Sequence, residues 1–588
     1  MDLKIRLAQE SFKYSFGSVS TSPKVNQPTF DENFSRHSMK LTTGKRDRAA
    51  FQVILQGSED LMVSVGDRPV FSPRADLMNV RISVEIDSMP GAGVEMFPIG
   101  LVEDDDRILK ADILLQDEVV FAPKSRLQCV WVEVKIPENT KSGIYGGKVN
   151  FYTQSMFQNE CLHKTLLFEI DVQDVLLPRP QAYKFHLDLW QHLSNIARKH
   201  EVRLWSNEHF EILEYYVRSL ADLGQKAISI VASEIPWSGQ GCFRVKNYPS
   251  DLFEFNMVRI RKGHSYTYDF SIVEKYINLC FKYGIDKEIE IHGLICIWKY
   301  EAEGYGRIVE DYPDAIRIRY FDEADGCYKY MRKQSEVLEY VKALEKYFIK
   351  KGWMDKVRII ADEPHDKKLY NDVLDIFKEA VPSFCYKAAI NHADFIEESK
   401  DKLHDFVPYL PAIAQEWEKL NGLREDIKGR ILWYVCCEPL YPNTFISSPL
   451  LESRLIGSLT AFIHFDGFLR WNYTVWPEHP RGKVCYNYPL WHAGDTHFVY
   501  PSHNGRPLLT LRYKALKRGI EDFELISLLR EKVPHSEQIL EKVWSCIFKT
   551  TDITRFYEAG ATPEALYSLN DEDYEKAKEI LLNALSDY

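Results

Sequence analysis

The sequence predicts a multidomain protein, an N-terminal all-β sandwich followed by a (β/α)8 TIM-type barrel with C-terminal helices. Three observations carry that prediction. Residues 1–178 hold short apolar runs separated by turn signals, and residues 179–588 alternate strand-like with helix-like segments. Between them the run LLPRPQ (176–181) contains two prolines, whose rings fit neither a helix interior nor a central strand, so the boundary falls there.

In the first region the strand candidates are AAFQVILQ (49–56), LMNVRISVEI (77–86), RLQCVWVEVKI (126–136) and KTLLFEIDVQDV (164–175). Gly57-Ser58, Pro90-Gly91 and Ser142-Gly143 supply turns between them. Residues 130–136 alternate as a half-buried strand does: Val130, Val132, Val134 and Ile136 on one face, Trp131, Glu133 and Lys135 on the other. KSGIYGGKVNF (141–151) reads as a turn feeding an edge strand. Several strands at this spacing, with little helical periodicity, predict a sandwich.

From residue 182 eight strand candidates follow: 182–190, 227–233, 288–298, 356–364, 384–392, 405–413, 431–439 and 462–471. Helix-length segments such as 208–224 and 335–352 lie between them; the second carries an apolar stripe of Leu338, Val341, Leu344 and Phe348 and stops at Gly352. Eight alternations fit a (β/α)8 barrel. A doubly wound sheet would open with a Gly-rich phosphate loop after its first strand, and none is present. The segment 520–588 reads as helices packed outside the barrel.

Composition narrows the function. Hydrophobic residues make up 45% and charged residues 27%, which excludes disordered, collagenous and coiled-coil chains. The net charge of -12 argues against a nucleic-acid binder. No apolar stretch is long enough to span a bilayer or to serve as a signal peptide, so a cytoplasmic enzyme is expected. The eleven cysteines contain no CxxC and read as reduced thiols; no metal and no cofactor is expected. Aromatic residues at 13% suit large cores and sugar clefts alike.

A barrel places its site at the C-terminal ends of its strands. Those ends carry Asp188 and Trp190, Trp298, Asp362-Glu363-Pro364, Asn391-His392, Tyr434 with Cys436, Cys437 and Glu438, and Arg470-Trp471 followed by Trp476. Carboxylates, amides and indoles on one mouth suit carbohydrate chemistry, because indole faces stack on sugar C–H surfaces while fixed polar groups read hydroxyls. Trp298, Asn391, Tyr434, Trp471 and Trp476 are the substrate-binding candidates, the tryptophans fitting a sugar platform or the core equally well. Arg470 is expected to pair with a barrel carboxylate. Asp362 and Glu363 form the sharpest feature: on a regular strand they would point apart, but a strand end turning before proline can aim both at the substrate.

With these segments in place the chain resembles glycoside hydrolase family 123. The resemblance rests on LDLWQH (187–192), LWSNEHF (204–210), ADEP (361–364) and YVCCEPLYPNTF (434–445), then DGFLRWNYTVW (466–476), AGDTHFVYP (493–501) and LRYKALKRGIEDFE (511–524). Lys514 stands where relatives commonly carry an acidic residue. The resemblance implies an exo-acting N-acetyl-β-galactosaminidase with a substrate-assisted retaining mechanism, in which the 2-acetamido oxygen attacks C1. It further implies that Asp362 orients the acetamido group and that Glu363 is acid, then base. The partner is then a glycan or glycoside. The alternatives are a glycosidase acting on another β-hexosaminide or a sugar without the amide, and a non-catalytic carbohydrate-binding protein.

Overall fold

The computed structural model describes residues 2–17, 36–236, 253–297, 306–364, 366–476, 480 and 491–588. Within it the chain divides into a β-rich N-terminal part and a helix-rich C-terminal part. The N-terminal strands pair into two six-stranded sheets. The first runs Leu3–Gln9, Arg48–Gly57, Gln128–Lys135, Gly93–Glu103, Leu109–Leu114, Ser15–Phe16; the second runs Ser38–Lys45, Cys161–Leu176, Gly143–Gln154, Met78–Ile86, Leu61–Val65, Val119–Ala122. Val130, Val132 and Val134 of the first sheet share one apolar cluster with Val80, Ile82, Phe151 and Phe168 of the second, all fully or almost fully buried.

Two expectations change here. The segment expected at an edge, Gly143–Gln154, pairs on both sides, with Cys161–Leu176 and with Met78–Ile86. Its glycines serve packing instead: a Cβ on Gly147 would lie 2.2 Å from the Phe168 ring. The strand 128–135 is not half-buried but buried on both faces. Trp131 and Glu133, expected toward solvent, are each 1% exposed because the C-terminal part covers that face.

Among the described residues of the C-terminal part, eight strands follow one another in a single series of parallel pairings: β1 (His186–Leu189), β2 (Ala227–Val231), β3 (Glu288–His292), β4 (Val357–Asp362), β5 (Cys385–Ile390), β6 (Asp405–Pro408), β7 (Leu432–Tyr434) and β8 (Gly467–Arg470). Ladders join β2–β3–β4–β5–β6 and β7–β8–β1. Single parallel bridges at Leu187–Gln225, Phe406–Ile431 and Tyr409–Tyr434 join β1 to β2 and β6 to β7, so the pairing returns to its start. Between consecutive strands lie α1 (Asn207–Leu223), α2 (Ser271–Lys282), α3 (Gln334–Lys351), α4 (Lys367–Ala380), α5 (Ala393–Ser399), then α6 (Leu410–Gln415) with α7 (Trp417–Leu423), and α8 (Leu450–Phe462). In α3 the buried residues are Val337, Tyr340, Val341, Leu344 and Phe348, with Leu338 at the margin of the stripe.

The strands are shorter than the sequence pattern suggests. The candidate 405–413 becomes a strand at 405–408 and a helix from Leu410, with Pro411 in the first helical turn, where its missing N–H costs nothing. In 462–471 only Gly467–Arg470 is strand, because Phe462 still belongs to α8.

The layer inside the ring is ionic. Lys387 Nζ of β5 lies 2.6 Å from Asp188 Oδ2, 2.8 Å from Glu288 Oε1 and 2.8 Å from Glu290 Oε1, all completely or almost completely buried. Burial, then the neighbouring carboxylates, raise Asp188; burial likewise raises Glu290. Burial acts the same way on Glu288, but there Lys387 and His186 outweigh it and hold it well below its ordinary value. Three carboxylates thus share one ammonium, and the excess negative charge weighs on Asp188 and Glu290.

After the ring, α9 (Leu511–Lys532) runs beneath the first N-terminal sheet, and a later helix, α10 (Asp571–Ser586), packs beside it. Their contact with the sheet is a buried ion-pair layer. Lys514 Nζ lies 2.9 Å from Glu133 Oε2, Arg48 3.3 Å from Glu133 and from Glu521, and Arg518 2.8 Å from Asp47 and 2.9 Å from Glu10. Lys578 of α10 reaches Asp47 at 2.8 Å. The unexpected lysine at position 514 is thus the partner of Glu133. A second contact joins Asp112 to Arg512 through two hydrogen bonds, 2.9 and 3.0 Å, with both residues buried. No helix of the described residues is long and apolar enough to cross a membrane.

These carboxylates set an acid limit on stability. Burial alone would raise Glu10, yet Arg518, Arg48 and Arg454 bring it down to about 2; Glu133 and Asp47 are held low in the same way by Lys514 and Lys578. In the unfolded chain such groups titrate near pH ~4, so stability is full above that and is lost as pH falls toward the folded values. Urea unfolding between about pH 7 and pH 3 is expected to give a plateau followed by a steep decline; a flat profile would refute the assignment. Glu133→Gln leaves Lys514 and Arg48 short of a buried partner and should cost about 3–5 kcal/mol, whereas breaking an exposed pair such as Arg74–Asp76 should change stability little.

Candidate active site

The C-terminal ends of the strands surround one pocket. Its lining comes from Trp190 after β1, Asp362 and Glu363 at β4, Ala389 in β5, Tyr434 with Cys436 and Cys437 at β7, Leu469 and Trp471 at β8, and Trp491 and Asp495 from the segment beyond.

Both acidic neighbours reach this pocket because the backbone reverses between them. Asp362 is the last residue of β4, paired with Ala389. Glu363 then takes a left-handed conformation, φ 43°, while its N–H still donates to Ala389 O at 3.0 Å. A non-glycine residue there costs about 1–2 kcal/mol, and the following Pro364 further narrows the choices. The twist cancels the alternation that would send the two carboxylates to opposite faces. The Tyr434 hydroxyl donates to Glu363 Oε1. Burial and then the Glu363 charge raise the Tyr434 phenol, so it stays protonated as a donor. The Cys296 thiol donates to Asp362 O at 3.3 Å.

The opposite wall hangs on two buried arginines. Arg470 is 0% exposed and pairs with Asp495 at 2.7 Å, the carboxylate partner that sequence reasoning expected without naming. It also donates to Val435 O and Asn443 Oδ1, each at 3.1 Å. Asn443 in turn donates to Cys436 O at 3.0 Å and Pro439 O at 2.7 Å, fixing the turn after β7. Burial raises the Asp495 carboxyl, opposed by Arg470 and a hydrogen bond from Trp471. The Trp471 and Trp491 rings meet edge-on, 4.6 Å between centroids.

Arg512, besides Asp112, gives one guanidinium nitrogen to Thr444 O, Gly494 O and His497 O, at 3.1, 3.0 and 2.9 Å. It thereby ties together the segments carrying Cys436, Cys437 and Asp495. Gly494 is left-handed at φ 87°, and a Cβ there would sit 2.8 Å from Ile446 N. The N-terminal part adds a direct strut, Asp105 Oδ2 accepting from Ala493 N at 2.8 Å.

Of the residues singled out by sequence, Asp362, Glu363, Tyr434 and Trp471 meet in this pocket. Trp298 lies outside the described residues. Asn391 does not line the pocket: the chain leaves β5 at Ile390 and turns into α5, so Ala389 takes that place. Trp476 is a correction. It is fully buried, donates its indole N–H to Val499 O at 2.7 Å and packs on Tyr216 of α1, so its ring is core and not a sugar platform. Trp491 and Asp495 were missed because they come from beyond β8, where no strand-end rule points; for Asp495 the available signal was its place in AGDTHFVYP (493–501), one of the segments that carry the family resemblance. Among the described residues, the acidic group with metal-ligand spacing is Asp188, Glu288 and Glu290. The Lys387 ammonium already occupies its centre.

No match was found among curated proteins. A family 123 glycoside hydrolase from Clostridium perfringens, a structure described for glycolipid glycan hydrolysis, shares 19% identity over 100% of this chain and 99% of that one, with a TM-score of 0.75, and has the same fold. A β-D-glucuronidase from Dictyoglomus thermophilum, 11% identical over 77% of this chain and 68% of its own, has a TM-score of 0.29, too slight a likeness to bear on the fold. The glycoside hydrolase 123 N-terminal domain pattern matches residues 100–152, and the catalytic domain pattern matches residues 190–529. That second match spans more than half of the chain and takes in every residue of the pocket, so the chain belongs to glycoside hydrolase family 123.

Proposed function

We propose that the chain is an exo-acting retaining hydrolase of terminal β-linked N-acetylgalactosamine, working through the substrate's own 2-acetamido group. Its scaffold on this reading is a β-sandwich over residues 1–178 and a (β/α)8 barrel over 179–588; the cyclic parallel pairing of β1–β8 supports the barrel. The observation that carries the mechanism is the placement of Asp362 and Glu363, sequence neighbours, in one aromatic pocket.

Glycosidases that use two protein carboxylates set them on opposite sides of the scissile bond, ~5 Å apart or more. Neighbours presented from one strand end do not straddle a sugar ring. A nucleophile from the substrate removes that requirement, and the acetamido oxygen of a 2-acetamido sugar is well placed for attack at C1. Asp362 then holds the amide N–H and offsets positive charge as the oxazolinium-like ring closes. Glu363 protonates the departing oxygen and afterwards takes a proton from water. Tyr434 orients Glu363 through its hydroxyl, and Trp471 offers an indole to the sugar.

One further carboxylate, Asp495, lines the pocket and favours a second reading, a protein nucleophile acting on a sugar without the amide. Its ion pair with Arg470 and its burial weigh against that role.

Two outcomes test the mechanism. Asp362→Asn should lower kcat/KM on an aryl 2-acetamido-β-galactoside by roughly 10²–10³-fold, while the matched 2-hydroxy glycoside is nearly inert with the unmodified enzyme. Proton NMR should show the first-formed sugar as the β anomer. Rapid hydrolysis of the 2-hydroxy sugar with a β first product would move the nucleophile to Asp495, and an α first product would replace substrate assistance by a single displacement by water.

Glu363→Gln should cost on the order of 10²–10⁴-fold on glycosides with poor leaving groups and far less on nitrophenyl glycosides, which need little protonation. Equal losses across a leaving-group series would remove Glu363 from the acid role.

A further inference from the structure

The pocket holds two groups that hydrolysis leaves unused. Cys436 and Cys437 both line it, and their sulfurs lie 3.7 Å apart. Adjacent residues of a regular strand would point to opposite faces. Here β7 has already stopped at Tyr434, and the turn is pinned from behind: Cys436 N donates to Glu438 O at 3.0 Å, Asn443 holds Cys436 O, and Arg470 holds Val435 O. The dithiol is therefore preorganised by buried polar groups.

We propose that this pair is a capture site for a soft centre that takes two sulfurs at once, the trivalent organoarsenicals, and that its occupation blocks the sugar pocket. The separation favours a bridging atom over a direct bond. A disulfide needs sulfurs ~2.05 Å apart and Cα atoms ~4.4–6.8 Å apart, whereas neighbours across a trans peptide sit at ~3.8 Å. One trivalent arsenic bonded to both sulfurs at ~2.3 Å is pyramidal, with an S–As–S angle a little above ~90°, and holds them ~3.4 Å apart. The separation present, 3.7 Å, closes to that by a small rotation of the two side chains.

Ligand number decides between a two-point bridge and a cation. A divalent cation takes three or four protein ligands, and among the described residues no third His, Cys, Asp or Glu completes such a group with this pair. An arylarsonous acid needs only the two sulfurs: two S–H and two As–OH bonds break, two As–S bonds form, two waters leave, and arsenic remains trivalent throughout. The contact with Cys437 and then burial raise the Cys436 thiol, with Glu363 and Asp495 adding to the shift. The aryl group finds an apolar wall in Leu469, Trp471 and Trp491.

The test uses the full chain with equimolar phenylarsonous acid, read first by intact mass and peptide mapping, so the capture does not depend on the sugar assignment. One arsenic per chain is expected, on the peptide containing 436 and 437, released by a small dithiol and not by a monothiol. Cys436→Ser and Cys437→Ser should each reduce retention on the order of 10²-fold, the loss of a two-point attachment. Hydrolysis by the wild-type chain should fall with adduct formation and return on its release. Arsenic on other cysteines, or retention unchanged in both variants, would overturn the site. An adduct that leaves hydrolysis intact would overturn the blocking, and Cd²⁺ binding at the pair without an arsenical adduct would assign it to a cation instead.

Discussion

Arg512 is the side chain on which the functional architecture turns. It is 1% exposed, and its donors are spent on three parts of the chain: Asp112 of the N-terminal sheets and the carbonyls of residues 444 and of 494 and 497. A guanidinium does this well because it is planar, always charged and carries five donors in a fixed fork. Removing it would take the guanidinium from a buried carboxylate, left with the Tyr500 hydroxyl at 2.8 Å, and from three carbonyls together. The N-terminal part is thereby a wall support for the pocket, reached through one helix of the C-terminal part, and Asp105 at Ala493 repeats the arrangement a few residues away.

The same helix explains why the two parts do not slide. Lys514 and Arg518 meet Glu133, Asp47 and Glu10 in a largely buried layer. Apolar packing tolerates small rotations, whereas paired buried charges lose several kcal/mol when pulled out of register. An ion-pair interface thus fixes orientation more sharply than its net contribution to stability suggests. The Lys387 cluster does the same inside the ring, holding β1, β3 and β5 at one level below the pocket.

At the site, order is maintained against local strain. Glu363 occupies a backbone conformation that most residues avoid, and its N–H to Ala389 and its carboxylate to Tyr434 hold it there. Such outliers persist where surroundings over-determine them. The result is two neighbouring carboxylates on one side of a pocket, the arrangement on which the proposed substrate-assisted reaction rests.

Much of this was legible in the residues themselves. The change of periodicity near residue 178, the eight strand positions and the Asp362-Glu363-Pro364 end follow from local pattern, because strand alternation, helix stripes and proline act within a few residues. What the pattern could not decide was which faces are covered. The strand at 130–136 shows solvent-like alternation, yet Glu133 is buried because a lysine some 380 positions away reaches it, at a sequence separation of 381. Trp476 and Trp471 read alike as strand-end indoles, and only the fold sends one into the core against Tyr216 and the other into the pocket. Asp495 and Trp491 enter from a loop whose course is set by Arg470 and Arg512. Sequence thus determined the elements, since these depend on neighbouring residues; tertiary structure decided burial, pairing and the pocket wall, since these depend on groups brought together from far apart in the chain.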